Sequence, residues 1–349
     1  MTKRVRVAVV GAGGIAQVYR QVFETSDEAE VTVVVDPDHA AAERMAAALG
    51  AETAPDHTAL LDRATLAKFD AALVCSPPST HAAIAGDLLE VGRPVLCEKP
   101  LALSIDQASS MAERAVAAGV PLLMASKYRY VADVARAKVL IEDGVIGTPV
   151  LVETAFTGKV DMTRRWNSRP EVSGGGVIMD NGTHAVDILR FLIGPVTAVL
   201  AVEGPRIPSL EVEDTAWLFA RTSEGIRGHA DLTWSLDKRL PDYTVVHGTE
   251  GVVRLGWRRS VLQRPGQEDE VIGDGYDKVV AIRDGLTDFL NLVGGAAARI
   301  TIEDALASVS VLDAAYRSLK TGTWDTVTPS DTQDQAVQAW RSTSSAGLL

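Results

Sequence analysis

The sequence predicts an α/β half built on a doubly wound parallel sheet, followed by an α+β half with a mostly antiparallel sheet. Three observations predict it. Over about the first 120 residues, short β-branched runs alternate with Ala-rich helical stretches. A glycine-rich turn joins the first run to the first helix. After about residue 148, strand-like runs succeed one another with few helices between them.

In chain order, residues 5–10 read as a buried parallel strand, 11–14 as a turn and 15–24 as a helix. A second β-branched run, 31–35, ends at Asp36-Pro37, and 39–49 is Ala-rich and helical. Strands follow at 71–75, 94–97 and 120–125, with helices at 81–90 and 103–118, the latter capped by Ser104. In the second half, strands are expected at 150–157, 196–202, 216–221, 228–234, 243–247 and 251–255. One helix, 182–192, interrupts them, and a late one spans 302–320. Thr301 and Asp304 form a variant capping box at its start. This divides the chain into a domain at 1–125, a domain at 126–325 whose late helix docks back on the first, and a polar tail at 326–349.

Lys and Arg number 34 against 46 Asp and Glu, a net charge of −12, which argues against nucleic acid as a partner. No run of about 18 apolar residues predicts a membrane span. The N-terminal apolar run is short, is broken by Arg6 and leads straight into the glycine turn, so it does not read as a signal peptide. Cys75 and Cys97 sit in apolar runs and read as reduced core thiols, which suits a cytoplasmic location.

Gly11-Ala12-Gly13-Gly14-Ile15-Ala16 fits G-x-G-x-x-[GA] between a strand and a helix, where backbone approaches a pyrophosphate at the helix N-terminus. Asp36 ends the second strand 20 positions after Ala16, where a carboxylate meets ribose hydroxyls. No Arg follows it, which favours NAD over NADP. Lys99, in Glu98-Lys99-Pro100, ends another strand and either points into the ligand crevice or lies at the surface. Gly174-Gly175-Gly176 leads to Asp180 and His184, one helical turn apart. Asp180 is either a helix N-cap or half of a proton-transfer pair with His184. Two such ligands are too few for a metal site, and none is expected.

The ordered set GAGGIA, Asp36, SPPSTH, EKP, GGG…D-x-x-x-H and HGTEG resembles the Gfo/Idh/MocA oxidoreductase family over residues 3–325. The resemblance implies a Rossmann domain followed by a domain with a large, open, mostly antiparallel sheet. The outer face of that sheet buries against another subunit, giving a homodimer or homotetramer. It implies that Lys99 is the catalytic lysine that stabilises an alkoxide, His184 the acid/base and Asp180 its carboxylate. It also places Ser76, Pro77 and His81 along the cofactor, with Glu98 and Pro100 flanking Lys99 near the nicotinamide. The implied reaction is hydride transfer between NAD and a secondary alcohol of a cyclitol or sugar.

Lys127 stands where the family commonly has Asn, and Arg129 fits its usual Arg. Lys127 either meets an anionic or densely hydroxylated substrate or turns to solvent. The basic stretch 159–170 leads toward the substrate in the family, and Trp166 and Asn167 are candidate substrate contacts there. Two alternatives stay open: a redox-neutral, NAD-dependent glycoside hydrolase or lyase of the same fold, and a non-enzymatic regulator that binds NAD and sugar.

Overall fold

The computed structural model describes residues 4–206, 210–297 and 299–328. The chain falls into two compact units. One holds the chain up to Ser126 together with Ile282–Leu306; the other holds Lys127–Ala281 and the chain from Ala307 to residue 328.

The first unit alternates β1 (Val5–Val10), α1 (Gly14–Glu24), β2 (Ala29–Val35), α2 (His39–Leu49), β3 (Glu52–Ala54), the single turn α3 (Arg63–Leu66), β4 (Ala71–Val74), α4 (Pro78–Glu90), β5 (Val95–Cys97), α5 (Ile105–Ala118) and β6 (Leu122–Met124). The strands pair in parallel in the order β3-β2-β1-β4-β5-β6. Strand order reverses beside β1, the switch point where such sheets bind ligands at their carboxyl ends. Val7, Ala8 and Val9 of β1 and all of β4 are buried, as expected of strands covered on both faces. Helix α1 buries Ala16, Tyr19, Val22 and Phe23 along one stripe. Asp38 caps α2 and Ser104 caps α5, and each helix ends on a left-handed glycine, Gly50 or Gly119.

The second unit carries α6 (Ala132–Glu142), β7 (Pro149–Thr157), the single turn α7 (Pro170–Ser173), α8 (Thr183–Ile193), β8 (Val196–Glu203), β9 (Thr215–Thr222), β10 (Arg227–Thr233), β11 (Asp242–Gly248), β12 (Val252–Gly256), β13 (Ser260–Gln263) and β14 (Glu270–Gly273). Of the two long helices, α9 (Lys278–Val293) falls mostly in the first unit and α10 (Ile302–Thr321) mostly in the second, ahead of the short β15 (Asp325–Thr326). Nine strands form one sheet, ordered β14-β13-β12-β11-β7-β10-β9-β8-β15. Its central pair, β7 and β10, is parallel and its other pairs are antiparallel. One face packs on α8 through Val152, Phe156, Leu218, Ala220, Ala230, Leu232, Ile188 and Leu189.

Nothing in the sequence announces β3, α3, α6, α7, β13, β14, α9 or β15. A single helix is expected among the later strands, whereas α6 and α9 flank them as well. The reciprocal cap of α10 is present: Thr301 N donates to Asp304 Oδ2 at 3.1 Å, and Asp304 N to Thr301 Oγ1 at 3.4 Å. Of the expected tail at 326–349, the part from residue 329 lies outside the described residues.

Candidate functional site

Two groups of the expected residues assemble, one in each unit. In the first, the glycine turn leaves β1 with Gly11 at φ 102°, a left-handed value. A Cβ on Gly11 would lie 2.7 Å from the backbone of Cys75 and Ser76, so the turn needs a residue without a side chain. Gly13 and Gly14 are exposed, and nothing stands within 4 Å of where their Cβ atoms would be. Gly13 caps α1 without a side-chain bond, and no acidic residue occupies the first turn. The start of α1 therefore keeps its partial positive charge, with no side chain to cap or neutralise it. Ala16 is fully buried, which lets α1 pack closely on the sheet.

Asp36 is aimed at this turn. Its Oδ2 accepts from Ala12 N at 2.7 Å and its Oδ1 from Asp38 N at 2.8 Å. The open glycine turn beside a fixed carboxylate fits a dinucleotide: the turn would hold the pyrophosphate and Asp36 the adenosine ribose.

Ser76 and Pro77 form the turn between β4 and α4, where Thr80 Oγ1 donates to Pro77 O at 2.7 Å. Glu98, Lys99 and Pro100 leave β5, and the Lys99–Pro100 peptide is cis. Lys99 is half-buried, while Glu98 is buried and accepts from Tyr19 OH at 3.2 Å and from Lys99 N at 3.1 Å. Burial and the Glu98 charge push the Tyr19 phenol well above its usual range. Burial also raises both cysteine thiols, which are free and buried.

His81 stands in the first turn of α4. It is fully buried, with Nε2 2.8 Å from Ser76 O and Nδ1 2.9 Å from Pro100 O. Both ring nitrogens face backbone carbonyls.

In the second unit, Asp180 lies inside a π turn, Ile178–Gly182, and His184 in the first turn of α8. Asp180 is thus no N-cap. The preceding glycines are sterically required: a Cβ on Gly175 would lie 1.8 Å from Tyr316 Oη, and one on Gly176 1.9 Å from Glu213 O. Buried Glu213 holds the segment, accepting from Gly176 N at 2.9 Å, Ile178 N at 3.1 Å and Tyr316 Oη at 2.8 Å.

His184 is 7 % exposed. Lys127, on a 3₁₀ turn at Lys127–Tyr130, places Nζ 2.8 Å from His184 Nε2. An ammonium donating there leaves the proton of a neutral ring on Nδ1. Tyr128 meets the imidazole edge-on at 5.0 Å between centroids, and Phe156 lies at 5.9 Å. Lys127 is therefore not simply turned to solvent.

Arg129 is buried, and its guanidinium is committed to buried Asp187, with Nη2 2.8 Å and Nε 3.0 Å from Oδ1. Trp166 and Asn167 form a 3₁₀ turn, with Trp166 38 % exposed. The sequence reading misses Tyr128, Phe156, Asp187, Glu213 and Tyr316 as parts of this arrangement. Tyr128 stands between Lys127 and Arg129, both already singled out; the others lie far along the chain from their partners. Among the described residues, no cluster of three or more His, Cys, Asp or Glu is placed to hold a metal, and no helix is long and apolar enough to cross a membrane.

Known proteins share this architecture. The model of the oxidoreductase family with an NAD-binding Rossmann fold, GFO_IDH_MocA, matches residues 5–126, and that of the GFO/IDH/MocA C-terminal domain matches residues 134–254. Inositol 2-dehydrogenase of Rhizobium meliloti is 27 % identical over 340 residues, 90 % of this chain and 97 % of that protein. The rhizopine catabolism protein MocA of Rhizobium meliloti is 27 % identical, over 90 % of this chain and 95 % of that protein. Among solved structures, GenD2 from gentamicin A biosynthesis in complex with NAD superposes with a TM-score of 0.80 at 28 % identity, covering 93 % of this chain and 97 % of that one. With an open glycine turn, a carboxylate fixed beside it and both halves matched by their family models, the chain belongs to the Gfo/Idh/MocA family of NAD-binding oxidoreductases.

Proposed function

We propose that this chain is an NAD-dependent dehydrogenase that oxidises a secondary alcohol of a cyclitol or sugar, reversibly, to the ketone. His184 carries the reading: a nearly buried imidazole with an ammonium on Nε2, held on an element that the buried Glu213 carboxylate anchors. That environment suits proton transfer. When bound, NAD supplies the hydride acceptor at C4 of its nicotinamide.

In this reading the carbinol carbon gives up a hydride and its hydroxyl a proton. Lys99 stabilises the alkoxide as charge develops on oxygen, His184 takes the proton on Nε2 as the Lys127 ammonium turns from that nitrogen to the substrate, and Asp180 orients the ring. Lys127, beside His184, favours a substrate that is anionic or densely hydroxylated around the reacting carbon. Trp166 and Asn167 are further candidate contacts for the polyol. Asp36 favours NAD over NADP.

The test is NADH formation, followed by absorbance with NAD and separately with NADP. The panel spans inositols, aldoses, uronates, amino sugars and nucleotide sugars. A hit with NAD supports the dehydrogenase and names the substrate class. Lys99→Ala then loses at least about a hundredfold in turnover, as loss of a transition-state donor does, with NAD affinity near normal. Wild-type turnover in that variant would remove Lys99 from the chemistry. NAD binding without NADH formation across the panel turns the reading toward the redox-neutral hydrolase or the regulator.

A further inference from the structure

The turns at the carboxyl ends of β1, β4 and β5 are linked in series. The glycine turn rests on the β4 turn, because Gly11 packs against the backbone of Cys75 and Ser76. The β4 turn is linked to the β5 turn by His81, from the first turn of α4. Its Nε2 is 2.8 Å from Ser76 O, and its Nδ1 is 2.9 Å from Pro100 O, one residue past Lys99. An imidazolium donates to both carbonyls; a neutral ring donates to one and stays in contact with the other. Burial lowers the proton affinity of the ring, and the Ser76 and Pro100 carbonyls, with the Glu98 carboxylate behind them, oppose that.

We propose that His81 is a positioning residue for Lys99 rather than a cofactor ligand. By holding Pro100 O to the start of α4 it fixes where Lys99 stands relative to the glycine turn. The ring is fully buried, so no pyrophosphate or ribose reaches it while the fold is intact. A lysine side chain is flexible, but the place of its Cα decides which positions its ammonium can occupy. A displacement of about 1 Å at a reacting group costs on the order of a hundredfold in rate. The inference rests on the reading of Lys99 as the group that stabilises the alkoxide.

Three variants of the full chain separate the possibilities. His81→Phe fills the ring volume without polar atoms. His81→Asn keeps an N–H near the place of Nδ1, toward Pro100, and His81→Gln keeps one near the place of Nε2, toward Ser76. Two measurements need no substrate: the Kd for NAD by calorimetry, and the rate at which trace acetic anhydride labels Lys99, read by mass spectrometry against Lys68 as internal reference. A third is turnover on the substrate found above.

In His81→Phe and His81→Gln the relative labelling of Lys99 is expected to change at least about threefold, the response to an altered amine environment. Turnover falls at least about tenfold, and the Kd for NAD stays within about twofold. His81→Asn lies closer to wild type than His81→Gln does, an order that a packing role would not produce. If His81→Phe does not fold, the Asn and Gln pair decides. A Kd for NAD weakened about tenfold, with turnover at saturating NAD intact, overturns the proposal and makes His81 a cofactor ligand. Unchanged labelling of Lys99 in the variants also overturns it. If none of the polyols supports NAD reduction by the wild-type chain, the functional reading fails separately, while the labelling still decides whether His81 sets the place of Lys99.

Discussion

A carboxylate offers about four lone-pair positions, and Asp36 commits two of them to the N–H groups of Ala12 and Asp38. The remaining positions are aimed before any ligand arrives, so ribose hydroxyls would meet an ordered acceptor. A 2′-phosphate would meet that charge and Asp38 beside it. Asp36→Ser should therefore weaken the Kd for NAD at least about tenfold, the worth of charge-assisted hydrogen bonds, and tighten binding of NADP. Fluorescence titration with each cofactor measures both, and unchanged affinities would refute the role of Asp36. This residue is legible in the sequence because its signals are local: a strand end, a glycine turn and a fixed spacing. Arg129 is not legible in the same way. Its partner Asp187 lies 58 residues away, and nothing near Arg129 announces that its fork is taken up inside the fold. Likewise the residue that stands on His184 Nε2, Lys127, is 57 positions distant. Spacing along the chain finds a substrate-side lysine but not what it touches.

At the scale of elements, the segment from Gly174 to His184 shows why a motif can be found while its geometry is not. Four-residue spacing predicts one helical turn between Asp180 and His184, and the structure interposes a π turn that ends at Gly182. Such a bulge belongs to function more often than to stability. What stabilises it is Glu213, from just before β9, with Tyr316 of α10. Burial raises the proton affinity of Glu213, and the hydrogen bonds of Tyr316 and the two N–H groups partly offset that. A carboxyl whose folded pKa is raised binds more protons in the native state than in the unfolded one. Its contribution to stability is therefore present at low pH and is lost as pH rises from the ordinary carboxylate value through the raised one. Glu213→Gln does not titrate, so the melting temperature of wild type minus that of the variant should fall as pH rises across that window. Thermal melts in matched buffers measure it. A difference that is flat, or that climbs with pH, would mean that Glu213 is not the strained carboxylate its surroundings imply.

For the whole molecule, the alternation of β-branched runs and helices in the first unit is legible because β4, β5 and β6 are buried throughout and β1 over its last four residues, with Gly or Pro close to an end of each. In the second unit two short strands escape notice: β13 and β14 have four residues each, too few for an alternating period to register. Helix α9 begins Lys278-Val279-Val280, a β-branched opening that conceals its helical period. The long strands of the second unit alternate, and alternation fixes which side chains point away from the core. In the row across β11, β7, β10, β9 and β8 these are Val245, Glu153, His229, Phe219 and Leu200. The neighbouring row holds Ala155, Asp231, Trp217 and Val202. Phe219 is 38 % and Val202 43 % exposed, large apolar side chains on a broad sheet face. We propose that a second copy of the chain covers this face. A two-fold axis would set the same patch against itself, and a standard interface buries about 1,600 Å². Light scattering during gel filtration should then give a dimer or tetramer for wild type. Phe219→Glu places a charge at the centre of the patch without disturbing the core face, and should weaken association at least about thirtyfold, the effect of losing one dominant interface residue. The melting temperature of the variant, extrapolated to low concentration, should match that of wild type. A wild-type monomer at micromolar concentration would mean that the sheet face is open to solvent. An oligomer untouched by Phe219→Glu would mean that the copies meet elsewhere.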